Sequence, residues 1–553
     1  TTVEEALSDR RGFGLWCNLY SVNSTNNWGI GDLSDLRKLV KWASQQGATF
    51  LGVNPLHALR NRGYGISPYS PLSRLFANEI YLDVTAIPEL ADCPSARSLI
   101  ESQEYTTELE RLCRAEYIDY EAVTGLKRRV LKLLHQAFIE RQSQQGTSRN
   151  AEFRRFLQQA GSDLECYATF RALDEFFSWQ KSHPSWDRWP EPYRHSDSAQ
   201  VAQFQTEHHR EVDFHRYVQF ELDRQLDSAA NDARAAMPLG IYGDLALSSD
   251  ISGADAWCYR GLFAPGICIG APPDDFSSDG QNWGLPPVIP QRLRSDGYKY
   301  WIGLVRAALR HAACLRIDHV MGLLRQFWIP TGLSGEHGAY VRYPVNDLLG
   351  ILALESRRNR AVIVGEDLGT VPRGFEARLA RWGILSSRVL YFERNRKGTF
   401  RASRHYSKRA MVMANTHDQA PLAGYWQDRD LTLRDQAGAY AQQREYEAAQ
   451  VERERERRSL CRRLAKEGLL DADRAVNPAQ VIRATYSFLA RTPAPLLGIS
   501  LDDLAGETDP INLPSVVNEQ YPNWSRKMKT TLEKLTQDAT ATKVLDLVRR
   551  ERS

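Results

Sequence analysis

The chain has little of what marks several protein classes. Its eight cysteines, at 17, 93, 113, 166, 258, 268, 314 and 461 of 553 residues, never fall at a CxxC spacing. That is too sparse for a disulfide framework, so reduced, mostly buried thiols are expected. No run of about 18 apolar residues occurs, and the opening TTVEEALSDRRG has neither an apolar segment nor a small-residue cleavage site. A soluble, cytoplasmic protein without a membrane partner is the default expectation. Charge of one sign is not in excess: 71 Lys and Arg against 68 Asp and Glu leave +3, which supplies no broad field for nucleic acid. There is no P-loop and no GxGxxG, so no nucleotide cofactor is indicated. Two N-x-S/T sequons, at Asn23 and Asn523, are what chance would provide, and glycosylation is not expected. Repeats and low-complexity tracts are absent, while 42% hydrophobic and 25% charged residues are globular proportions.

At about 150 residues per domain, the length permits three or four domain equivalents, or one large domain with insertions. Eight short apolar runs favour the second: 14–22, 50–56, 238–247, 313–321, 361–369, 387–393, 411–418 and 495–500. Each reads as a parallel strand covered on both faces, because none has the polar alternation of a half-exposed sheet. Helix-period stretches such as LSDLRKLVKWASQQG (33–47) and GYKYWIGLVRAALRHA (297–312) lie between them. Strand then helix, eight times, predicts an α/β fold: a closed (β/α)8 TIM barrel occupying 1–553 as one domain. The stretch from Leu56 to Pro238 is far too long for a bare loop. Amphipathic periods at 121–141 and 151–175 predict a helical subdomain inserted over 83–236. A second helical insertion, over 427–490, contains EYEAAQVERERERRSLCRRLAKEG, whose Glu and Arg spacings suit solvated helix pairs rather than a nucleic-acid arm.

In such barrels the reactive groups stand at the C-terminal strand ends. Three of the runs end in acids: Arg316-Ile317-Asp318-His319, Gly365-Glu366-Asp367 and Thr416-His417-Asp418. Taken alone, an acid in that position is most often a helix cap or a turn residue. Three converging on one mouth repel one another unless substrate chemistry or cations offset the cost, and Arg316 and His417 are placed to do so. Two carboxyls in different environments, one ionised and one protonated, are what cleavage of a glycosidic bond requires.

LRIDHVMGL, VIVGEDLGTVP and THDQAPLAGYW resemble the three catalytic segments of the 4-alpha-glucanotransferases, the amylomaltases or disproportionating enzymes of glycoside hydrolase family 77. NWGIGDLSDL (27–36), ISPYSPLSR (66–74), IDYEAVTGLK (118–127), GQNWGLPP (280–287) and INLPSVVNEQYPNW (511–524) match the family pattern in order. The resemblance implies Asp318 as nucleophile, Glu366 as general acid/base and Asp418 as the acid that stabilises the transition state. Arg316 would hold Asp318 ionised and lower its pKa. His319 and His417 would donate to sugar hydroxyls, although both could simply pack or bond locally. Tyr69 would stack at the donor side, and Trp283 would belong to the loop, within 262–296, that arches over the glucan. Gln281, Asp367, Ser67 and Asp244 complete the implied sugar contacts, with Tyr64 a weaker candidate. The implied substrates are alpha-1,4-glucans, with glucose or another glucan as acceptor, and neither a cofactor nor a metal. Two departures stand out. GDLALSSDISGADAW has Ser252 where shorter members have Asp, and THDQAP replaces their THDNDT, which leaves acceptor-side contacts open. With VMGL after the nucleophile, these features resemble the longer bacterial branch, whose additional N-terminal region this sequence is expected to lack.

An alpha-glucan hydrolase is the first alternative, separated by whether total reducing ends rise during incubation with maltotriose. A non-catalytic glucan-binding barrel is the second, and its mark would be loss of one of the three acids. The group His208, His209, Asp213 and His215 has metal-capable side chains without a recognisable ligand pattern and reads as solvated surface.

Overall fold

Each apolar run overlaps one strand of a closed parallel barrel: β1 (Gly12–Cys17), β2 (Phe50–Val53), β3 (Ile241–Leu245), β4 (Cys314–Ile317), β5 (Val362–Gly365), β6 (Leu385–Val389), β7 (Ala410–Met413) and β8 (Leu496–Ser500). The computed structural model describes residues 1–63, 65–142, 148–179, 185–273, 279–471 and 475–552. Every strand pairs with its neighbours in chain order, and β1 closes on β8 from Gly12↔Leu496 to Trp16↔Ser500. β2 and β5 are buried along their whole length, which explains their unbroken hydrophobicity. Phe50, Tyr242, Cys314, Val364, Met411 and Leu496 fill one interior cluster together with Val3 and Leu7 of the short helix Val3–Leu7. Gly14 makes room for this packing, since a Cβ there would lie 2.4 Å from the Phe50 ring and from its carbonyl oxygen.

Helices Leu33–Gln45, His209–Ala236, Lys299–Arg310, Val345–Asn359, Phe375–Arg381, Pro478–Ala490 and Ala539–Arg552 surround the barrel. The expected alternation fails once. Between β6 and β7 there is no α-helix, only 3-10 turns at Leu390–Phe392 and Ser403–His405 and an antiparallel bridge Arg394↔Phe400 around Gly398. Asn395 Oδ1 accepts from the Lys397 and Thr399 amides there, giving the chain a turn in place of a helix start. At the β1–β8 seam, Arg552 donates to the carbonyls of Gly12 (2.7 Å) and Ala494 (3.1 Å). Burial, reinforced by Arg11, pushes its guanidinium pKa down to about 9.

Between β2 and β3 the chain forms helices Pro94–Glu101, Gln103–Arg114, Tyr120–Gln142, Ser148–Trp179 and Ala199–Glu207 before the barrel helix His209–Ala236. Ser148–Trp179 breaks at Gly161 (φ 57, ψ −145). Between β7 and Pro478–Ala490 lie Arg429–Gln436 and Gln443–Lys466. In the latter, Glu454 pairs with the half-buried Arg457 and the exposed Arg458, while Arg453 turns inward onto Asp430 at 2.8 Å.

The reading of all eight cysteines as thiols needs correction. Cys166 and Cys258, 92 residues apart, are joined as a disulfide with a Cα separation of 5.9 Å. Packing of Ser148–Trp179 against helix Ala254–Cys258 brings them together, a long-range contact without local sequence signal. Cys17, Cys93, Cys268 and Cys314 are buried thiols, and Cys113 and Cys461 are partly exposed. The histidine group also differs from expectation: His215 is buried beside Glu175 (3.2 Å), and His208 stacks on Phe204 at 4.3 Å. Among the described residues no cluster of His, Cys, Asp or Glu could hold a metal ion, and no helix is long and apolar enough to cross a membrane. Asn523 is buried, with its side chain bonded to Leu513 and Val516.

Candidate active site

The site grows from the register of β4 and β5. Arg316 lies opposite Val364 and Ile317 opposite Gly365, so Asp318 and Glu366 follow as the next pair, about one strand spacing (~4.8 Å) apart at the backbone. The Glu366 amide donates to the Ile317 carbonyl (3.0 Å), and the Val320 amide donates to the Glu366 carbonyl (2.9 Å). Gly365 permits that approach, because a Cβ there would meet the Val320 side chain at 2.8 Å. His319, next to Asp318, is left-handed at φ 44. Non-glycine residues in that region are uncommon and often mark functional turns.

Arg316 is the hub. Its Nη1 donates to both oxygens of Asp244 at 2.8 and 2.9 Å. Its Nη2 lies 2.9 Å from Asp318 Oδ1 and 4.0 Å from Glu366 Oε2. Burial opposes the charge on Arg316, yet Asp244, Asp318, Tyr69 and Glu366 together lift its pKa well above the ordinary guanidinium value. Glu366 accepts from the amides of His319 (2.9 Å) and Leu368 (2.6 Å). Burial, helped by the charge of Asp318 and resisted by Arg316, pushes its carboxyl up to about 7. The two carboxylates therefore differ in surroundings: Asp318 is 19% exposed and paired with Arg316, while Glu366 is enclosed and held by backbone amides.

Asp418 sits differently from the sequence expectation. β7 ends at Met413, so His417 and Asp418 lie in the following loop rather than at a strand end. The strand stops where side chains take over the hydrogen bonding: Gln419 Oε1 accepts from the Thr416 amide (2.9 Å) and hydroxyl (2.8 Å). Asp418 is 43% exposed, 3.5 Å from His417 Nε2, and accepts from Asn512 Nδ2 at 2.8 Å.

Tyr69 joins the two halves of the site. Its hydroxyl donates to Asp244 Oδ2 (2.7 Å) and lies 3.0 Å from His417 Nδ1, and its ring stacks on His417 at 4.3 Å. Burial and the neighbouring Asp244 hold the phenol protonated, well above its ordinary pKa. Ser67 is half-buried one turn earlier, its Oγ accepting from the Tyr69 amide at 3.3 Å. A four-stranded antiparallel sheet, in the order Ala339–Arg342, Arg325–Pro330, Ile267–Ala271, Gln281–Leu285, grows from the loops after β3 and β4. Its last strand places Trp283 edge-on to His319 at 5.2 Å, and the indole N–H donates to Gln281 Oε1 at 3.0 Å. Burial lowers the His319 pKa below the ordinary imidazole value. Residues 274–278 of the expected covering loop, and Tyr64, lie outside the described residues.

Two implied sugar contacts do not reach open space. Asp367 has a fully enclosed side chain, bonded to Ser386 Oγ (2.7 Å), the Ser387 amide (2.9 Å) and Arg388 (3.2 Å). Asp244 is equally enclosed, with burial raising its pKa against the pull of Arg316. Both acids are tied to a neighbouring arginine, which a sequence pattern cannot distinguish from a sugar contact. Conversely, Asn512 and Trp524 were missed. Trp524 lies 5.6 Å from the Tyr69 ring and 5.5 Å from His417. Both belong to INLPSVVNEQYPNW, whose lack of helix or strand period hides which side chains turn inward. Ser252, where shorter family members have Asp, accepts from Arg60 through its carbonyl (3.0 Å). A separate cavity of about 640 Å³ behind β2 and β3 contains none of Asp318, Glu366 and Asp418 in its lining.

Comparison with known proteins gives the family. The family model described as 4-alpha-glucanotransferase, Glyco_hydro_77, matches residues 17–533. The 4-alpha-glucanotransferase of Mycobacterium tuberculosis is 38% identical over 538 residues, covering 94% of this chain and 72% of the relative. That of Haemophilus influenzae is 35% identical, covering 95% and 76%. The crystal structure of amylomaltase from Corynebacterium glutamicum superposes with a TM-score of 0.86 at 30% identity, covering 99% of this chain and 76% of that one. The amylomaltase of Streptococcus agalactiae in complex with acarbose shares the fold, with a TM-score of 0.76 at 18% identity over 98% and 99% of the two chains. The chain belongs to glycoside hydrolase family 77, the 4-alpha-glucanotransferases.

Proposed function

We propose that the family's transfer reaction runs here as a retaining double displacement on alpha-1,4-glucans, with Asp318, Glu366 and Asp418 as its catalytic residues. The observation that carries this reading is the shared guanidinium nitrogen. Asp318 Oδ1 and Glu366 Oε2 both face Arg316 Nη2, so they can be no more than 6.9 Å apart, 2.9 Å plus 4.0 Å. With one strand spacing between their backbones, the pair suits the roughly 5–5.5 Å of retaining enzymes better than a wide, water-admitting gap.

In the first half-reaction the Glu366 carboxyl passes its proton to the glycosidic oxygen while the Asp318 carboxylate attacks the anomeric carbon. The C1–O bond breaks, the reducing-end fragment leaves as an alcohol, and the glycosyl group is held as an ester of Asp318. In the second half the Glu366 carboxylate takes the proton of an acceptor 4-hydroxyl. That oxygen attacks C1, the ester bond breaks, and the anomeric configuration is retained. A pKa of about 7 lets one carboxyl serve both halves near neutrality. Asp418, exposed beside His417, is suited to a sugar hydroxyl and to the positive charge of the oxocarbenium-like transition state. Tyr69, His319, His417, Ser67, Gln281 and Trp283 are the proposed sugar contacts; Arg316, Asp244 and Asp367 position other groups.

Incubation with maltotriose tests the reading. Released glucose with a ladder of longer maltooligosaccharides and constant total reducing ends is the expected result, and rising reducing ends would mean hydrolysis. We propose glucose and maltodextrins as acceptors, checked by incorporation of labelled glucose into the ladder.

A further inference from the structure

Trp524 has three properties that core packing alone does not require. It is a bulky residue in the left-handed region, at φ 62, a conformation that Gly or Asn adopts with less strain and that tends to persist at functional sites. It stands at the neck of a closed loop: its amide donates to the Ile511 carbonyl (2.9 Å), so residues 511 and 524 are held together. Inside that loop, Asn523 bonds the Leu513 amide and the Val516 carbonyl, each at 2.8 Å. Its ring is the third member of a cluster with Tyr69 and His417, at 5.6 and 5.5 Å.

The neck is anchored away from the barrel. The hydroxyl of Tyr120, at the start of helix Tyr120–Gln142, donates to the Trp524 carbonyl at 2.7 Å. Just beyond, the Ile118 amide donates to the Ser525 carbonyl (2.7 Å) and the Lys527 amide to the Glu116 carbonyl (3.1 Å). Two hydrogen bonds therefore hold the Trp524 backbone itself and two more hold the residues just beyond it, so its left-handed φ sits between the loop closure and the ties to residues 116–120. Tyr69 likewise comes from a loop without regular structure, and His417 from the loop after β7. Two side chains on irregular backbone hold a parallel stack at 4.3 Å and 26°, and Trp524 is the rigidly mounted ring that both touch.

We propose that Trp524 is a positioning residue for glycosyl transfer: its indole fixes the Tyr69–His417 stack, and through it the Tyr69 hydroxyl between Asp244 and His417. The proposal rests on the reading of Tyr69 and His417 as sugar contacts. A ring that orients groups meeting the distorted sugar contributes more to the transition state than to ground-state binding, so its loss lowers kcat more than it raises KM.

The test separates ring from backbone. Trp524→Asn suits the left-handed conformation but removes the ring; Trp524→Phe keeps an aromatic face. In maltotriose disproportionation, W524N is expected to lose roughly 10- to 100-fold in kcat with KM within about threefold, and W524F to stay within about threefold of wild type. The decisive measurement is a double-mutant cycle with Tyr69→Ala, assayed with an activated maltosyl fluoride donor so that residual rates remain readable. In the Y69A background W524N should cost less than about threefold, because the ring has lost the group it acts through. Full additivity in the cycle, W524N at wild-type rate, or W524F as impaired as W524N would each overturn the proposal. If W524N does not fold, the cycle is run with W524G, whose backbone also accepts that φ. Asp318→Asn separates this from the site reading: an active D318N defeats that reading, whereas an inactive D318N with an additive cycle defeats only the role of Trp524.

Discussion

Asp318 and Glu366 show how one residue's neighbours set its chemistry. Replacing Asp318 by Asn removes the carboxylate proposed to attack without changing its shape, and should lower kcat for maltotriose by at least about a thousandfold, read by glucose release. For Glu366 the sign follows from its raised pKa. The folded state keeps the proton to about pH 7, whereas the unfolded chain loses it near 4.5. The native protein thus binds more protons across that window, and its contribution to stability falls as pH rises from 4.5 to 7. Glu366→Gln removes that loss. Its thermal midpoint should equal that of wild type near pH 4.5 and exceed it by roughly 1–3 °C at pH 8, measured by calorimetry across pH, while transfer activity disappears. In the wild type, kcat/KM for donor cleavage should decline above about pH 7 as the proton donor is lost. The position of both acids was legible in the sequence because each directly follows a buried parallel strand. Asp367 and Asp244 carried the same signal, yet their side chains are enclosed against Arg388, Ser386 and Arg316 from adjacent strands, partners that only register reveals. Asn512 and Trp524 carried no such signal.

At the scale of elements, the loop after β7 is held by a buried carboxylate. Asp503, beyond β8, accepts from Asn415 Nδ2 (2.9 Å), the Leu422 amide (2.6 Å) and the Tyr486 hydroxyl (2.5 Å). Burial raises its pKa to about 6. Two of these bonds fasten the ends of the segment carrying His417 and Asp418. Asp503→Ala leaves three buried donors unpaired and should cost about 2–4 kcal/mol in urea denaturation. It should also lower kcat, whereas an equally destabilising cavity far from the mouth should not. The eight strands were readable because burial on both faces leaves continuous hydrophobic runs. Their ends were less so: 411–418 continues past Met413 without a breaker, and the strand stops only because Thr416 and Gln419 bond each other. The missing helix between β6 and β7 is the converse case, where a turn centred on Asn395 and Gly398 outweighs the rhythm of the fold.

For the whole molecule, the Cys166–Cys258 bond closes a long loop that ties Ser148–Trp179 to the segment after β3. Chain-entropy arguments give such a link on the order of 2–4 kcal/mol. Wild-type protein should therefore melt at a lower temperature with dithiothreitol than without it, and Cys166→Ser should abolish the difference.

The return of residues 511–524 to the barrel mouth separates the ring of strands from part of what lines its opening. Strand β8 ends at Ser500, yet the group bonded to Asp418 and the ring against Tyr69 are encoded after it. A chain cut before Ile511 would keep all eight strands and still lack the partner of Asp418 and the ring beside Tyr69.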